Sequence, residues 1–388
     1  MRIGLDGMPL TALKTGVGHY TFELACALAR VDPESDFDIV YPASSPPIAI
    51  TQHDKPLSLP ANLEVMRVRV GPLGRHWWSM GLPRYIRSSG IQLFHGTNYE
   101  VPPWGQCATV LTIHDLSLLI HPETHEKRRV SRSRRRLPIM ARAANAVIVP
   151  TASVRAEVCE HLRLSPEKVF AVPEAARACF RPMDLEATED VRQRLGIGAD
   201  FLLTVGTIEP RKNLRTLISA FQEVASRQSG LTLQLVIAGN RGWLSEPLFD
   251  VLEKSPMRKR IVLTGYLNDQ ELCALYASCR AFVYPSIYEG FGLPPLEAMT
   301  CGAPVITSRI PALEETTGGA AILFNPSSDK DLARSISAIT EHENAREKLV
   351  AAGLRQAAKF SWGQTAQTTL GVYDEALRRF RGEYRRES

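Results

Sequence analysis

An α/β chain of two doubly wound, Rossmann-like parallel-sheet domains is the fold that the sequence predicts, on three observations. Short Val- and Ile-rich runs alternate with longer amphipathic stretches, the pattern of a parallel sheet covered on both faces. The alternation breaks once, between Pro173 and Pro182, and then restarts. The length, 388 residues, exceeds what one hydrophobic core usually serves.

The elements follow in order. Strand-like runs in the first half cover 2–6, 37–41, 63–70, 91–95, 109–114, 146–150 and 169–173. Each ends at or beside Gly, Pro, His or Asp. Helix-length segments such as 20–30 and 130–144 lie between them. In the second half, strands are expected at 202–206, 233–239, 261–265, 281–285 and 304–308, with helices at 213–227 and 269–278. The first domain is expected over 1–177 and the second over 178–361. Ligands of open parallel sheets sit beyond the carboxyl ends of the strands. Two facing sheets would leave a cleft suited to a substrate.

Composition narrows the function classes. Apolar residues make up 44% and charged residues 22%, as in ordinary globular proteins. The net charge of +5 is a mild basic excess. The seven cysteines are odd in number and form no CxxC pair, which argues against a zinc site or disulfide framework and fits a reducing compartment. The start, Met1 to Asp6, lacks the apolar run of a signal peptide. No run approaches the roughly 20 apolar residues of a membrane span. A cytoplasmic protein, or one held peripherally on a membrane surface, is expected.

Two segments carry the chemistry, and both follow a strand. In Pro285-Ser286-Ile287-Tyr288-Glu289-Gly290-Phe291-Gly292-Leu293-Pro294-Pro295-Leu296-Glu297-Ala298, a glycine turn leads into a helix that starts near Leu293. Gly290 and Gly292 allow close approach of the backbone to a ligand. A helix N-terminus with free N–H groups suits a diphosphate. Glu289 and Glu297 would repel that diphosphate and are better aimed at sugar or ribose hydroxyls. The plain alternative is a glycine turn with two solvated glutamates. In Gly206-Thr207-Ile208-Glu209-Pro210-Arg211-Lys212-Asn213, two cations open a helix, where the dipole disfavours them unless an anion binds. The alternative is a solvent-facing basic turn.

These segments resemble the EX7E signature of glycosyltransferase family 4, with Glu289 and Glu297 at its two glutamate positions. Gly206 to Asn213 is similar to the family's diphosphate-clamping segment, and Gly265-Tyr266 with Asp269, Glu271 and Leu272 to its base-contacting turn. The resemblance implies a GT-B fold and a retaining hexosyltransferase that takes a nucleotide-sugar donor as substrate and needs no metal and no cofactor. It implies that Arg211 and Lys212 clamp the diphosphate, that Glu289 holds the donor sugar, and that Glu297 holds the ribose. His114, at the end of a strand, matches the family's active-site histidine. Gly16, Gly18, Gly206, Thr207, Tyr266, Gly290, Phe291, Gly292 and Leu293 are implied to line the donor site. The last helix, about 362–388, would cross back to the first domain near Ser361.

The wording around Arg211 looks like members that use GDP-mannose, and the acceptor implied is a saccharide, free or lipid-linked, in cell-surface polysaccharide synthesis. Between 127 and 136, Lys127, Arg128, Arg129, Arg132, Arg134, Arg135 and Arg136 stand with no acid among them. They form either a solvated helix face or a contact with anionic lipid headgroups. No nucleic-acid motif accompanies them. His95 to Asn98 also ends a strand and could face the acceptor. Asp36-Phe37-Asp38 formally fits a metal motif of another glycosyltransferase fold and reads as a turn. Two rivals stand beside this reading: a glycoside hydrolase with Glu289 and Glu297 as its carboxyl pair, and a non-catalytic sugar-nucleotide-binding protein.

Overall fold

The computed structural model describes residues 1–12, 16–48, 51–52, 55–56, 58–69, 76–103, 105–227 and 232–382. Thr15 beside the first glycine pair, Val70 at the end of the third expected strand, and residues 383–388 of the expected last helix lie outside them. The chain divides into two compact units, Met1–Leu119 with Ser131–Glu174 and Ser361–Ser388, and Ile120–Val130 with Ala175–Phe360. The assignment of 120–130 to the second unit had no counterpart in the sequence pattern.

The strands of the first unit are β1 (Arg2–Asp6), β2 (Asp36–Pro42), a small hairpin of β3 (Thr51–Gln52) and β4 (Lys55–Pro56), β5 (Leu63–Val68), β6 (Leu93–Gly96), β7 (Ala108–Thr112), β8 (Ala146–Val149) and β9 (Val169–Ala171). Seven form a parallel sheet in the order β5-β2-β1-β6-β7-β8-β9. All seven match expected runs to within a few residues, because each is a buried Val/Ile-rich segment closed by a turn. Asp36-Phe37-Asp38 begins β2 rather than forming a turn. Phe37 enters the core, and Asp38, on the other face, is ion-paired with Arg2 at 2.8 Å. Helices α1 (Gly16–Val31), α2 (Leu82–Ser89), α3 (Ser117–Ile120), α4 (Lys127–Ala143) and α5 (Ala152–Leu162) fall between the strands. Trp77 is buried in a satellite core, and Met80 near it is exposed.

The second unit is a six-stranded sheet of β10 (Phe201–Val205), β11 (Gln234–Ala238), β12 (Ile261–Gly265), β13 (Ala281–Tyr284), β14 (Val305–Ser308) and β15 (Ile322–Phe324). Its order is β12-β11-β10-β13-β14-β15, parallel throughout. β15 was not expected, since three residues are too short to show a period. Around the sheet lie α6 (Leu185–Arg194), α7 (Leu214–Arg227), α8 (Glu246–Glu253), α9 (Asp269–Ser278), α10 (Leu293–Thr300), α11 (Pro311–Thr317), α12 (Asp329–Glu341) and α13 (Glu343–Ala357). Alternate strand residues feed two cores: Leu203, Val236, Phe282 and Val305 on one face, Leu202, Leu235, Val283 and Ile306 on the other. The strand order reverses between β10 and β13, so the loops after these two strands meet at the topological switch point, where α/β sheets place ligands.

The last helix, α14 (Trp362–Phe380), is capped by Ser361, whose hydroxyl accepts from the Gln364 N–H. It packs into the first unit's core through Ala366, Val372, Tyr373 and Ala376. Tyr373 Oη lies 2.8 Å from His95 Nδ1, and His95 Nε2 lies 2.7 Å from the Thr112 hydroxyl. His95 is therefore a core residue, fully buried, and not an acceptor contact. Gly96 after it carries no Cβ because one there would strike the Glu100 carbonyl. Burial lowers the His95 pKa from 6.5 to about 3, so the folded ring stays neutral. Its contribution to stability is present above about pH 6.5 and is lost as pH falls toward 3, since only the unfolded ring takes the proton readily. Tyr373→Phe leaves one buried ring nitrogen without its partner and should lower stability by about 1–2 kcal/mol in chemical denaturation.

Candidate active site

At the switch point of the second unit, β10 is followed by Gly206, whose φ of 145° suits glycine. The chain then runs through Thr207 to a one-turn helix, Pro210–Lys212. Arg211 and Lys212 stand on that turn, just before α7, and not in the open. Arg211 Nη1 lies 3.1 Å from Glu289 Oε2, and Nη2 lies 2.7 Å from Glu209 Oε1. Lys212 Nζ donates to Glu289 Oε1 and to Tyr284 Oη, each at 2.6 Å. The Ile287 N–H donates to the Arg211 carbonyl and Arg211 Nη1 to the Tyr288 carbonyl, so the loops after β10 and β13 are stitched together. A small cavity borders this point, lined by Gly206, Lys212, Tyr284, Pro285 and Ser286 among others.

Glu289 thus sits on both cations, a pairing that the sequence reading did not include. Buried cations need a buried counter-charge, and Glu289 supplies it. Burial by itself would raise the Glu289 pKa, but Arg211 and Lys212 outweigh it and hold the group at about 2. Burial dominates at Glu209 and raises its pKa, with Arg211 opposing.

The glycine turn needs two corrections. Gly292, with φ 100°, caps α10, but the next residues but one are Pro294 and Pro295. Prolines have no N–H, and the Leu296 N–H already donates to the Gly292 carbonyl. The first turn therefore offers the Leu293 N–H and little else to an anion. The Phe291 ring is buried against Phe360 at 5.7 Å, and its carbonyl accepts from the Thr316 hydroxyl at 2.6 Å. Its side chain serves the core, as does the buried backbone at Gly290.

Glu297 belongs to a second cluster. It is buried on α10, accepts from Tyr276 Oη at 3.3 Å, and faces Arg177 Nη2 at 3.6 Å. Arg177 Nη1 pairs more tightly with Asp269 Oδ1, at 2.6 Å, and the guanidinium lies 4.8 Å over the Phe180 ring. Burial raises the Glu297 pKa to about 7, against the pull of Arg177. Tyr266, after β12, exposes 47% of its surface, enough to offer a ring face to a base. Arg177 escaped the sequence reading. Its one signal is a lone cation among Ala175, Ala176, Ala178 and Cys179, in a stretch without periodicity.

Gly16, Gly18 and His114 belong to the first unit. Gly16 opens α1 and Gly18 is buried in its first turn, so the helix begins four residues earlier than expected and both glycines are helical. His114 lies just beyond β7, between Glu174 and the Thr97 carbonyl. The basic run forms most of α4. Arg132 and Arg136 share Glu100, each at 3.2 Å, while Lys127, Arg128 and Arg134 point into solvent. The segment before α4 is held on the second unit: Trp243 Nε1 donates to the Thr124 carbonyl at 2.8 Å, His125 stacks on Trp243, and His121 lies 5.2 Å from the Tyr288 ring. Among the described residues, no cluster of His, Cys, Asp or Glu is arranged to hold a metal, and no helix is long and apolar enough to cross a membrane.

Two doubly wound parallel-sheet units, with paired cations and glutamates at the switch point of the second, are the architecture of GT-B glycosyltransferases. Residues 14–175 match the model described as Glycosyltransferase Family 4, and residues 188–356 match Glycosyl transferases group 1. The chain is 30% identical to O-antigen chain mannosyltransferase B of Escherichia coli, over 96% of its length and 99% of that protein's. It belongs to glycosyltransferase family 4. Its fold is similar to that of sucrose-phosphate synthase from Thermosynechococcus elongatus, with a TM-score of 0.78, 21% identity, and 96% and 98% of the two chains covered. It is also similar to Anabaena HepE in complex with UDP-glucose, with a TM-score of 0.74, 17% identity, and 96% and 99% covered.

Proposed function

We propose that this glycosyltransferase retains anomeric configuration and moves mannose from GDP-mannose to a lipid-linked saccharide in O-antigen or related polysaccharide synthesis. The observation that carries the reading is the convergence of Arg211 and Lys212 on Glu289 at the switch point. Arg211 stands between Glu209 and Glu289, and Lys212 stands on Glu289, so both cations sit together at one point. A diphosphate arriving there meets both of them. Departure of the sugar builds positive charge on its anomeric carbon and negative charge on the diphosphate. Arg211 and Lys212, already in place, stabilise the departing anion, with the Gly16 and Leu293 N–H groups assisting. Glu289 trades part of its hold on the cations for the sugar hydroxyls. Glu297 accepts from the ribose, Tyr266 lies under the base, and His114 positions the sugar. The leaving phosphate takes the acceptor's proton in a front-face attack. Gly206 and Gly292, both at positive φ, serve by allowing close backbone approach.

The mannosyl preference rests on the Escherichia coli relative, whereas HepE was solved with UDP-glucose. A panel of nucleotide sugars in a thermal-shift assay separates the two. Ligand at 100 times its Kd stabilises by about 2.7 kcal/mol, so GDP-mannose should raise Tm by several degrees and UDP-glucose should not. A shift with UDP-glucose alone overturns the donor reading. The exposed cations of α4 suit an anionic membrane surface on the cytoplasmic side, at roughly 1 kcal/mol each.

A further inference from the structure

We propose that Glu174 is the positioning residue of His114, holding its ring from the last residue of the first unit's run of chain before residue 175. The proposal rests on the reading of His114 as an active-site residue. Glu174 Oε1 lies 3.3 Å from His114 Nδ1, and the two side chains are 6% and 11% exposed. A carboxylate this buried costs free energy unless it is paired, and among the described residues its hydrogen-bond partner is His114.

The backbone on both sides is firm. The Val172 N–H donates to the Val149 carbonyl and the Pro173 carbonyl accepts from the Thr365 hydroxyl, while the Ile113 N–H donates to the Ile148 carbonyl. His114 Nε2 lies 2.9 Å from the Thr97 carbonyl. A carbonyl only accepts, so Nε2 carries a proton and the tautomer is set. Nδ1 faces the Glu174 carboxyl, so both ring nitrogens are engaged. Tyr20, edge-on at 4.8 Å, and Tyr99, at 5.9 Å, close the ring in.

Two consequences follow for chemistry. Neither ring nitrogen is open to take a proton from an acceptor hydroxyl, so His114 works by the place of its ring and not as a general base. Its place depends on Glu174, among the described residues the charged group that touches it, and outer-shell partners of metal-bound histidines matter roughly 10- to 100-fold. Glu174 touches no substrate in this scheme.

The test compares Glu174→Ala, Glu174→Gln and His114→Ala in the full-length enzyme. Glu174→Ala should lower kcat by about 10- to 100-fold while the donor KM stays within about 2-fold. Glu174→Gln, which can still hydrogen-bond Nδ1, should recover most of the rate. In 15N NMR, the His114 Nε2 pattern should persist in the native protein and the Gln variant and average out in the Ala variant. Full activity of Glu174→Ala beside an inactive His114→Ala overturns the proposal. Full activity of His114→Ala would instead sink the active-site reading of that histidine. If Glu174→Ala fails to fold, the Gln variant decides: its Nδ1 resonance moves with the loss of charge while Nε2 stays, or Glu174 does not hold the ring.

Discussion

Replacing Arg211 and Lys212 with alanine should lower kcat/KM by at least about 100-fold for each side chain, the range seen when a preorganised donor to a developing anion is removed. Initial rates with a labelled nucleotide sugar measure this. The double variant also strips Glu289 of the two charges that hold its pKa at about 2. Breaking a buried ion pair from one side costs roughly 3–5 kcal/mol, and Glu289 would soften that cost by taking a proton. Melting curves should accompany the rates for that reason. Adding Glu289→Gln should restore much of the stability without restoring turnover. Near-normal turnover in a folded Arg211→Ala, Lys212→Ala protein would mean that these cations do not bind the leaving group.

Glu297 and Glu289 should give opposite pH responses. The folded pKa of Glu297 is raised to about 7 from 4.5. Its contribution to stability is full below about pH 4.5 and is lost as pH rises through 7, a change on the order of 3 kcal/mol. Around Glu297 stand Arg177 from the linker and Asp269 and Tyr276 from α9, with Cys301 on its own helix's end. Glu297→Gln should therefore flatten the pH dependence between 4.5 and 7 and leave the protein more stable than the parent at pH 8. For Glu289, with a folded pKa of about 2, stability is present above about pH 4.5 and is lost as pH falls toward 2. Under the proposed role of Glu297 as acceptor from the ribose, donor affinity should run the other way from stability near neutrality: Kd should tighten as pH rises through 7. Calorimetric titrations at pH 6 and 8 with equal Kd values would remove Glu297 from the ribose.

Much of the site was legible because its chemistry lies in contiguous chain. Arg211 and Lys212 share one turn, and Glu289 and Glu297 share one motif. The partner of each was not legible. Arg177 meets Glu297 across 120 positions of sequence, and nothing in the stretch around it distinguishes a buried guanidinium from a solvated one. The pairing of Glu289 with Arg211 and Lys212 was not foreseen, because repulsion from a ligand was weighed without the cations' own need for a counter-charge. The missing N–H groups at Pro294 and Pro295 could have been read from the sequence, which already placed the helix start near Leu293. The docking of 120–130 on the second unit depends on Trp243, more than a hundred residues away, and leaves no local period.

Residue order alone determined the two-sheet α/β architecture, all but the shortest strands, and the glycosyltransferase motifs, since burial period and turn chemistry act over a few residues. The tertiary structure decided which charges neutralise which, that His95 is core while His114 is held between Glu174 and Thr97, and that 120–130 belongs to the second unit. Those outcomes depend on the distances and desolvation that arise when remote segments pack, and such energies belong to pairs of segments and not to either one.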